Sequence, residues 1–232
     1  MNPFDMAVMS FVTRLARRSS TFDELVLLVG GNAFLKGGVV VAVIWWIWFQ
    51  DEDAQKKREA LLVGLIASFL GLTAARTLAH AVFRVRPFQD PQVSLRISFP
   101  FASFVNLEDW SSFPSDHAVL FFALATGIFF ACRRVGWLMF IYVSVVICLP
   151  RVYLGQHYPT DILVGAVMGV IFACLFNRPA IRRPATGWVL RWEDSQPALF
   201  YPCFFLLTYQ IAELFNPLRD IAKFFIHMHG AR

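Results

Sequence analysis

Charge is scarce in this sequence. Only 16% of its 232 residues are Asp, Glu, Lys or Arg, against about 25% in an ordinary soluble domain; 57% are hydrophobic and the mean hydropathy is +0.56. That balance excludes a water-soluble globule, because a chain this short has too little interior to hide so much apolar surface. Cysteine is sparse as well. Cys132, Cys148, Cys174 and Cys203 stand singly in apolar stretches with no CxxC or Cys/His spacing, which argues against zinc and leaves packing as their role. The N-terminus lacks the form of a cleavable signal, since Arg14, Arg17 and Arg18 follow the apolar residues instead of preceding them. No internal repeat is present, and so nothing supports a transporter built from two matching halves.

What the chain does have is a series of apolar runs. A bilayer core about 30 Å thick takes about 20 apolar residues per helix, so this length allows roughly six spans. They are expected at about 37–49, 60–83, 117–132, 136–149, 161–176 and 198–215. Residues 1–20 read as an interfacial amphipathic helix followed by a short apolar piece at 22–30, and the tail from Pro217, with Lys223 and His227, reads as another. The expected fold is all-α: a polytopic membrane helical bundle of about six transmembrane helices with amphipathic N-terminal and C-terminal helices, one domain over 1–232. Trp45, Trp46 and Trp48 suit an aromatic belt at the end of the first span.

The net charge of +5 sits in short basic runs between apolar segments: Lys56 to Arg58, Arg133 with Arg134, and Arg178 to Arg191. Such runs are topology signals, so membrane lipid and not nucleic acid is the expected partner. If the chain alternates sides, all three runs share one face, cytoplasmic by the positive-inside rule, and the polar loops at 84–116 and 151–160 share the external face. Arg14, Arg17, Arg18 and Lys36 run counter to this orientation.

Three polar clusters interrupt the apolar pattern on that external face: RVRPF at 84–88, FPSDH at 113–117 and RVYLGQHYPTD at 151–161. Ionisable groups are costly near lipid, and their convergence from separate segments points to a polar cavity. Their inventory matches phosphoryl transfer without a metal. Arg86 and Arg151 can fork onto phosphate oxygens, although Arg84 or Arg86 taken alone reads most simply as a headgroup anchor. Ser115, at the start of a helix, can offer its hydroxyl beside unpaired backbone amides. His157 and Asp161 are four apart, so a helix beginning near His157 lets the carboxylate hold one ring nitrogen protonated and leaves the other as a nucleophile. His117 can then protonate the leaving oxygen and later activate water. Asp161 also reads as a plain helix N-cap, and Glu213 as a solvated acid near an interface. Trp110 and Phe88 are candidates for a lipid entrance or for belt anchors.

These residues resemble the type 2 phosphatidic acid phosphatases, whose three motifs are KxxxxxxRP, PSGH and SRxxxxxHxxxD; here they correspond to 79–87, 114–117 and 150–161. The resemblance spans about 60–176. It implies His157 as phosphohistidine nucleophile, Asp161 as its orienter, His117 as general acid, Arg86, Ser115 and Arg151 as phosphate ligands, and no cofactor or metal. Three positions depart from the pattern. Ala79 stands where the family has lysine, and Arg76 or His80 is a candidate replacement. Asp116 replaces a glycine, within the phosphate-binding motif, and is expected to face the loop or pair with an arginine. Pro150 replaces a serine.

The SFPSDHA string at 112–118 and RPF at 86–88 are similar to the bacterial undecaprenyl-pyrophosphate phosphatases. The implied activity is release of phosphate from undecaprenyl pyrophosphate at the outer face of a bacterial cytoplasmic (inner) membrane. Alternatives are dephosphorylation of phosphatidic acid or phosphatidylglycerophosphate, removal or transfer of a phosphate on lipid A, and a non-catalytic protein that binds or transports a lipid phosphate.

Overall fold

Asn2 starts the first helix, its side chain accepting the Asp5 amide at 2.7 Å. With Pro3 at the first helical position this opens α1, Pro3–Val12. The computed structural model describes residues 2–100, 111–218 and 221, and every regular element among them is helical. Trp110 and nearly all of the C-terminal tail lie outside the described residues.

Helix α2, Ser20–Gly31, is capped by Ser19, whose hydroxyl accepts from the Phe22 amide at 3.3 Å. It ends at Asn32, whose side chain accepts from Leu35 and so restarts the helix. A wide π turn over Phe34–Gly38 leads into α3, Val39–Trp48. The sequence reading separated 22–30 from the first span. The structure instead joins Ser20–Gly31 and Phe34–Trp48 as a pair bent by 60°. Gly30, Gly31 and the Asn32 cap explain the break, since glycine weakens a helix and Asn competes for its backbone amides.

Helix α4, Ala54–Ala81, has 28 residues and is about 42 Å long. A loop with the short α5, Pro91–Ser94, leads on toward α6, Asp116–Ala131. Helices α7, Arg133–Tyr142, and α8, Leu149–Tyr153, join through a π turn into one rod, Arg133–Tyr153. Then follow α9, Pro159–Phe176, α10, Pro179–Ser195, and α11, Pro197–Ala212. Three of these are each long and apolar enough to cross a bilayer: Ala54–Ala81, Arg133–Tyr153 and Pro159–Phe176. The bent pair makes a fourth, and α6 and α11 are shorter apolar helices. The protein is a multi-pass membrane protein whose six apolar segments follow the sequence pattern.

Helix α6 is central, packed between α4, α9 and α7. It is apolar on all sides, as a surrounded helix must be, and Leu120, Phe121, Leu124 and Ile128 on it are fully buried. Close packing drives assembly where lipid is as apolar as the side chains. Trp48 is fully buried against Phe200 and Phe204, and Trp45 packs at a tilt against Phe204 while its indole N–H donates to Thr208 at 3.1 Å. Only Trp46 of the three expected belt residues is exposed. Positions 45 and 48 share a helix face turned inward, which position 46 does not.

The segment 177–196, read from sequence as a polar connection, forms α10. Its Arg182 pairs with Glu59 at 3.1 Å, and Glu193 with Arg58 at 2.9 Å. Two of the basic runs therefore meet at the N-terminal end of α4, and the polar clusters meet beyond its other end.

Candidate active site

Pro159 fixes where α9 starts, because its ring presets the backbone for a first helical turn and its lack of an N–H costs nothing there. His157 precedes the helix and shares no helical face with Asp161. Its Nδ1 lies 2.8 Å from the carbonyl oxygen of Ser112. A carbonyl can only accept, so Nδ1 carries the proton and Nε2 keeps its lone pair. The direct imidazole–carboxylate bond expected from the four-residue spacing is replaced by this backbone contact. Burial, then the nearby Arg86 and Arg151 cations, push the His157 pKa well below the ordinary imidazole value.

Asp161 is fully buried and is not the N-cap. From the third position of α9 it reaches back to the Tyr158 amide at 2.9 Å, and the Ser112 hydroxyl donates to the same oxygen. Its other oxygen takes Arg84 Nη1 at 2.5 Å. Ser112 thus links the two groups, its carbonyl on His157 and its hydroxyl on Asp161. Arg84 continues outward: Nη2 donates to Asp5 at 2.8 Å, and the guanidinium lies over the Tyr158 ring at 3.7 Å. Asp5, fully buried on α1, also accepts from the Thr160 amide at 2.9 Å and the Thr160 hydroxyl at 2.8 Å.

Arg86 is buried and donates to the Gln156 carbonyl at 2.8 Å. Arg151 is buried at the end of α8; its Nη1 donates to the Gln156 side chain at 2.6 Å and its Nη2 to the Gly30 carbonyl at 3.2 Å. Ser115 caps α6 and gives its amide to the Asp161 carbonyl at 3.2 Å. Among the described residues, three buried atoms here have no hydrogen-bond partner: Arg86 Nε, Arg151 Nε and the Ser115 hydroxyl. A buried donor without a partner is costly, and three contributed by the motif segments suit an anion. Gly165 permits this arrangement, because a Cβ there would come within 2.7 Å of the Ser115 carbonyl. Gly155 turns the chain after α8 with φ +70°, and a Cβ on it would strike the Phe99 ring.

Asp116 forms an ion pair with Arg76, one of the two alternatives its sequence position allowed. His117, in the first turn of α6, is partly buried and within electrostatic reach of His157, Arg86 and Arg151. His80 is exposed and borders, with Arg76, Ala79 and Asp116, a cavity of about 130 Å³. Phe88 is partly buried against the apolar cluster that includes Val93, Val152 and Tyr158. The structure therefore gathers Arg76, Arg86, Ser115, Asp116, His117, Arg151, His157 and Asp161, and leaves His80 at the rim.

Residues 59–180, just over half the chain, match the model of the PAP2 superfamily. The chain belongs to the PAP2 superfamily. It is similar to undecaprenyl-diphosphatase BcrC of Bacillus subtilis (strain 168), 27% identical over 182 residues that cover 78% of this chain and 87% of that protein. It is also similar to lipid A 1-phosphatase of Rhizobium johnstonii, 33% identical over 133 residues, covering 53% of this chain and 52% of that protein. The crystal structure of Aquifex aeolicus LpxE shares the fold at a TM-score of 0.53 and 20% identity, covering 75% of this chain and 94% of that one.

Arg84, Ser112 and Asp5 of this PAP2 protein were not assigned to the site by the sequence, where Arg84 read as a headgroup anchor. The doubled arginine of RVRPF was the available signal for Arg84. Asp5 lies 79 residues from its arginine, with no motif around it.

Proposed function

We propose that this PAP2 protein removes the terminal phosphate of undecaprenyl pyrophosphate through a phosphohistidine at His157. The protein is a membrane lipid phosphatase. The observation that carries this reading is a His157 ring whose Nδ1 sits on a carbonyl, leaving the Nε2 lone pair, within electrostatic reach of Arg86 and Arg151, whose buried Nε atoms, like the Ser115 hydroxyl, have no hydrogen-bond partner among the described residues. The name of the Bacillus relative supports the diphosphate substrate.

Nε2 of neutral His157 attacks the terminal phosphorus, and the bond from phosphorus to the bridging oxygen breaks. Arg86, Arg151, the Ser115 hydroxyl and the first amides of α6 hold the non-bridging oxygens, whose charge changes during transfer. His117 gives its proton to the leaving undecaprenyl phosphate. It then takes one from water, which attacks the phosphohistidine and releases inorganic phosphate, restoring both imidazoles. Asp161 acts through Ser112, keeping that segment where its carbonyl fixes the His157 tautomer. The membrane is the bacterial inner membrane, with Lys56 to Arg58, Arg133 with Arg134, and Arg178 to Arg191 on the cytoplasmic side and the site opening outward. Lys36, which ran counter to this orientation as a loop charge, is buried inside the bundle.

Similarity to a lipid A 1-phosphatase favours phosphate removal from a glycolipid as the second reading. The test compares wild type and His157→Ala in detergent, measuring phosphate release from undecaprenyl pyrophosphate, phosphatidic acid, phosphatidylglycerophosphate and lipid A. Enzyme quenched in alkaline detergent, where the acid-labile phosphorus–nitrogen bond survives, is also assayed for covalently bound phosphate. The expected result is preference for the polyprenyl diphosphate and loss of both signals in the variant. A preference for lipid A moves the substrate to the second reading, and full activity of His157→Ala removes the nucleophile assignment.

A further inference from the structure

Three carboxylates at the site are each engaged by an arginine. Asp161 and Asp5 are held by Arg84, and Asp116 by Arg76. Arg86 and Arg151 are left without an ion pair among the described residues, and one more buried cation shares that condition. Lys36 is only 9% exposed. It comes from the π turn inside the broken first span, far in sequence from every motif.

The bend places it there. Gly30 packs directly on Pro150 and Leu154, and its carbonyl takes the Arg151 guanidinium at 3.2 Å, so the break in the span lies against the end of α8. Tyr142 donates its hydroxyl to the Leu35 carbonyl, fixing the π turn to α7. Gly37 lies against the Ala212 backbone, where a Cβ would approach to 2.3 Å. The extra residue of a π turn rotates the side chains after it relative to those before. The Lys36 ammonium is within electrostatic reach of Arg151, His117 and Glu213. It forms no ion pair and no side-chain hydrogen bond among the described residues.

A lysine buried at membrane depth needs a counter-charge or a polar cavity, and putting it near Arg151 adds repulsion. A bound phosphate removes both costs. We propose that Lys36 is a phosphate ligand of the active site, placing from the broken first span the ammonium that α4 lacks at Ala79. Arg76, on α4 one turn before that position, is already committed to Asp116, and His80 is exposed. The inference rests on the phosphatase reading for the identity of the site, but its own test is phosphate binding.

The full chain is purified in detergent as wild type, Lys36→Met, Lys36→Arg and Glu213→Gln. Thermal stabilisation by inorganic phosphate gives an apparent Kd for each, and lipid turnover gives KM and kcat. Lys36→Met is expected to weaken phosphate binding and raise KM by about 10- to 100-fold, the range for a charged hydrogen bond. Lys36→Arg recovers most of the loss, and Glu213→Gln binds phosphate like wild type. Lys36→Gln replaces the methionine variant if that one does not fold. Unchanged phosphate binding in the neutral variant overturns the proposal, as does wild type that binds no phosphate. An equal loss in Glu213→Gln also overturns it, since Lys36 then acts as the partner of that acid. If wild type hydrolyses no lipid, the phosphatase reading fails while the binding measurement still decides the role of Lys36.

Discussion

Arg84 joins Asp161 to Asp5, its Nη1 at 2.5 Å from the first and its Nη2 at 2.8 Å from the second. Both acids are fully buried, so this guanidinium neutralises two desolvated carboxylates from helices far apart in the chain. Removing one partner of such a group leaves an uncompensated charge, at a cost of about 3 kcal/mol or more. Arg84→Ala is expected to lower the unfolding midpoint in detergent and to abolish turnover, and Arg84→Lys to recover little because one ammonium cannot fork between both acids. An Arg84→Ala protein with wild-type melting and kcat contradicts this.

Asp5→Asn tests whether α1 positions the site. The change puts an amide N–H against donors from Arg84 and Thr160, a mismatch that lowers kcat by about 10-fold. KM is expected to stay close to wild type, because Asp5 touches no phosphate ligand. A rise in KM at unchanged kcat would place α1 in substrate capture instead.

Ser112→Ala separates its two contacts. The hydroxyl on Asp161 is lost, but the backbone carbonyl that fixes the His157 tautomer remains. Turnover is expected to fall about 10-fold, against about 10³-fold or more for His157→Ala. Equal losses in the two variants would mean that Asp161 controls the nucleophile through the hydroxyl alone.

The pH dependence follows from His157. Its folded pKa is depressed, so between that value and the unfolded value of about 6.5 the unfolded chain binds the extra proton. Stability from this group is therefore fully present above about 6.5 and is lost as pH falls toward the folded pKa. Attack needs the neutral ring, and so the acid limb of kcat/KM is expected below pH 6.5. An acid limb at or above 6.5 in a pH profile shows that the nucleophile is not desolvated as described.

Arg76 and Asp116 are expected to be coupled. Arg76→Ala removes the cation paired with Asp116, so that its carboxylate draws on the phosphate-binding arginines and raises KM, while adding Asp116→Gly recovers most of the loss. A double-mutant cycle on KM measures this directly. Additive effects of the two substitutions show that the carboxylate does not oppose substrate.

The membrane-helix class was legible because long apolar runs in a charge-poor chain have few other solutions, and the PAP2 motifs were legible because their spacing is local. His157, Asp161, Ser115, Arg86 and Arg151 could all be named from three short strings. What failed was the step from spacing to contact: four residues between His157 and Asp161 suggested one helix face, and Pro159 starts the helix too late for that.

By itself the sequence determined the solvent this protein folds in, the number of apolar segments and the chemical inventory of the site. Only the tertiary structure decided which charge meets which. Asp5 with Arg84, and Lys36 beside Arg151 and His117, are pairings across helices with no periodicity or motif to announce them. In a low-dielectric interior every buried charge must find compensation, and which partner it finds depends on how α1, the broken first span and α9 pack, not on their separation along the chain.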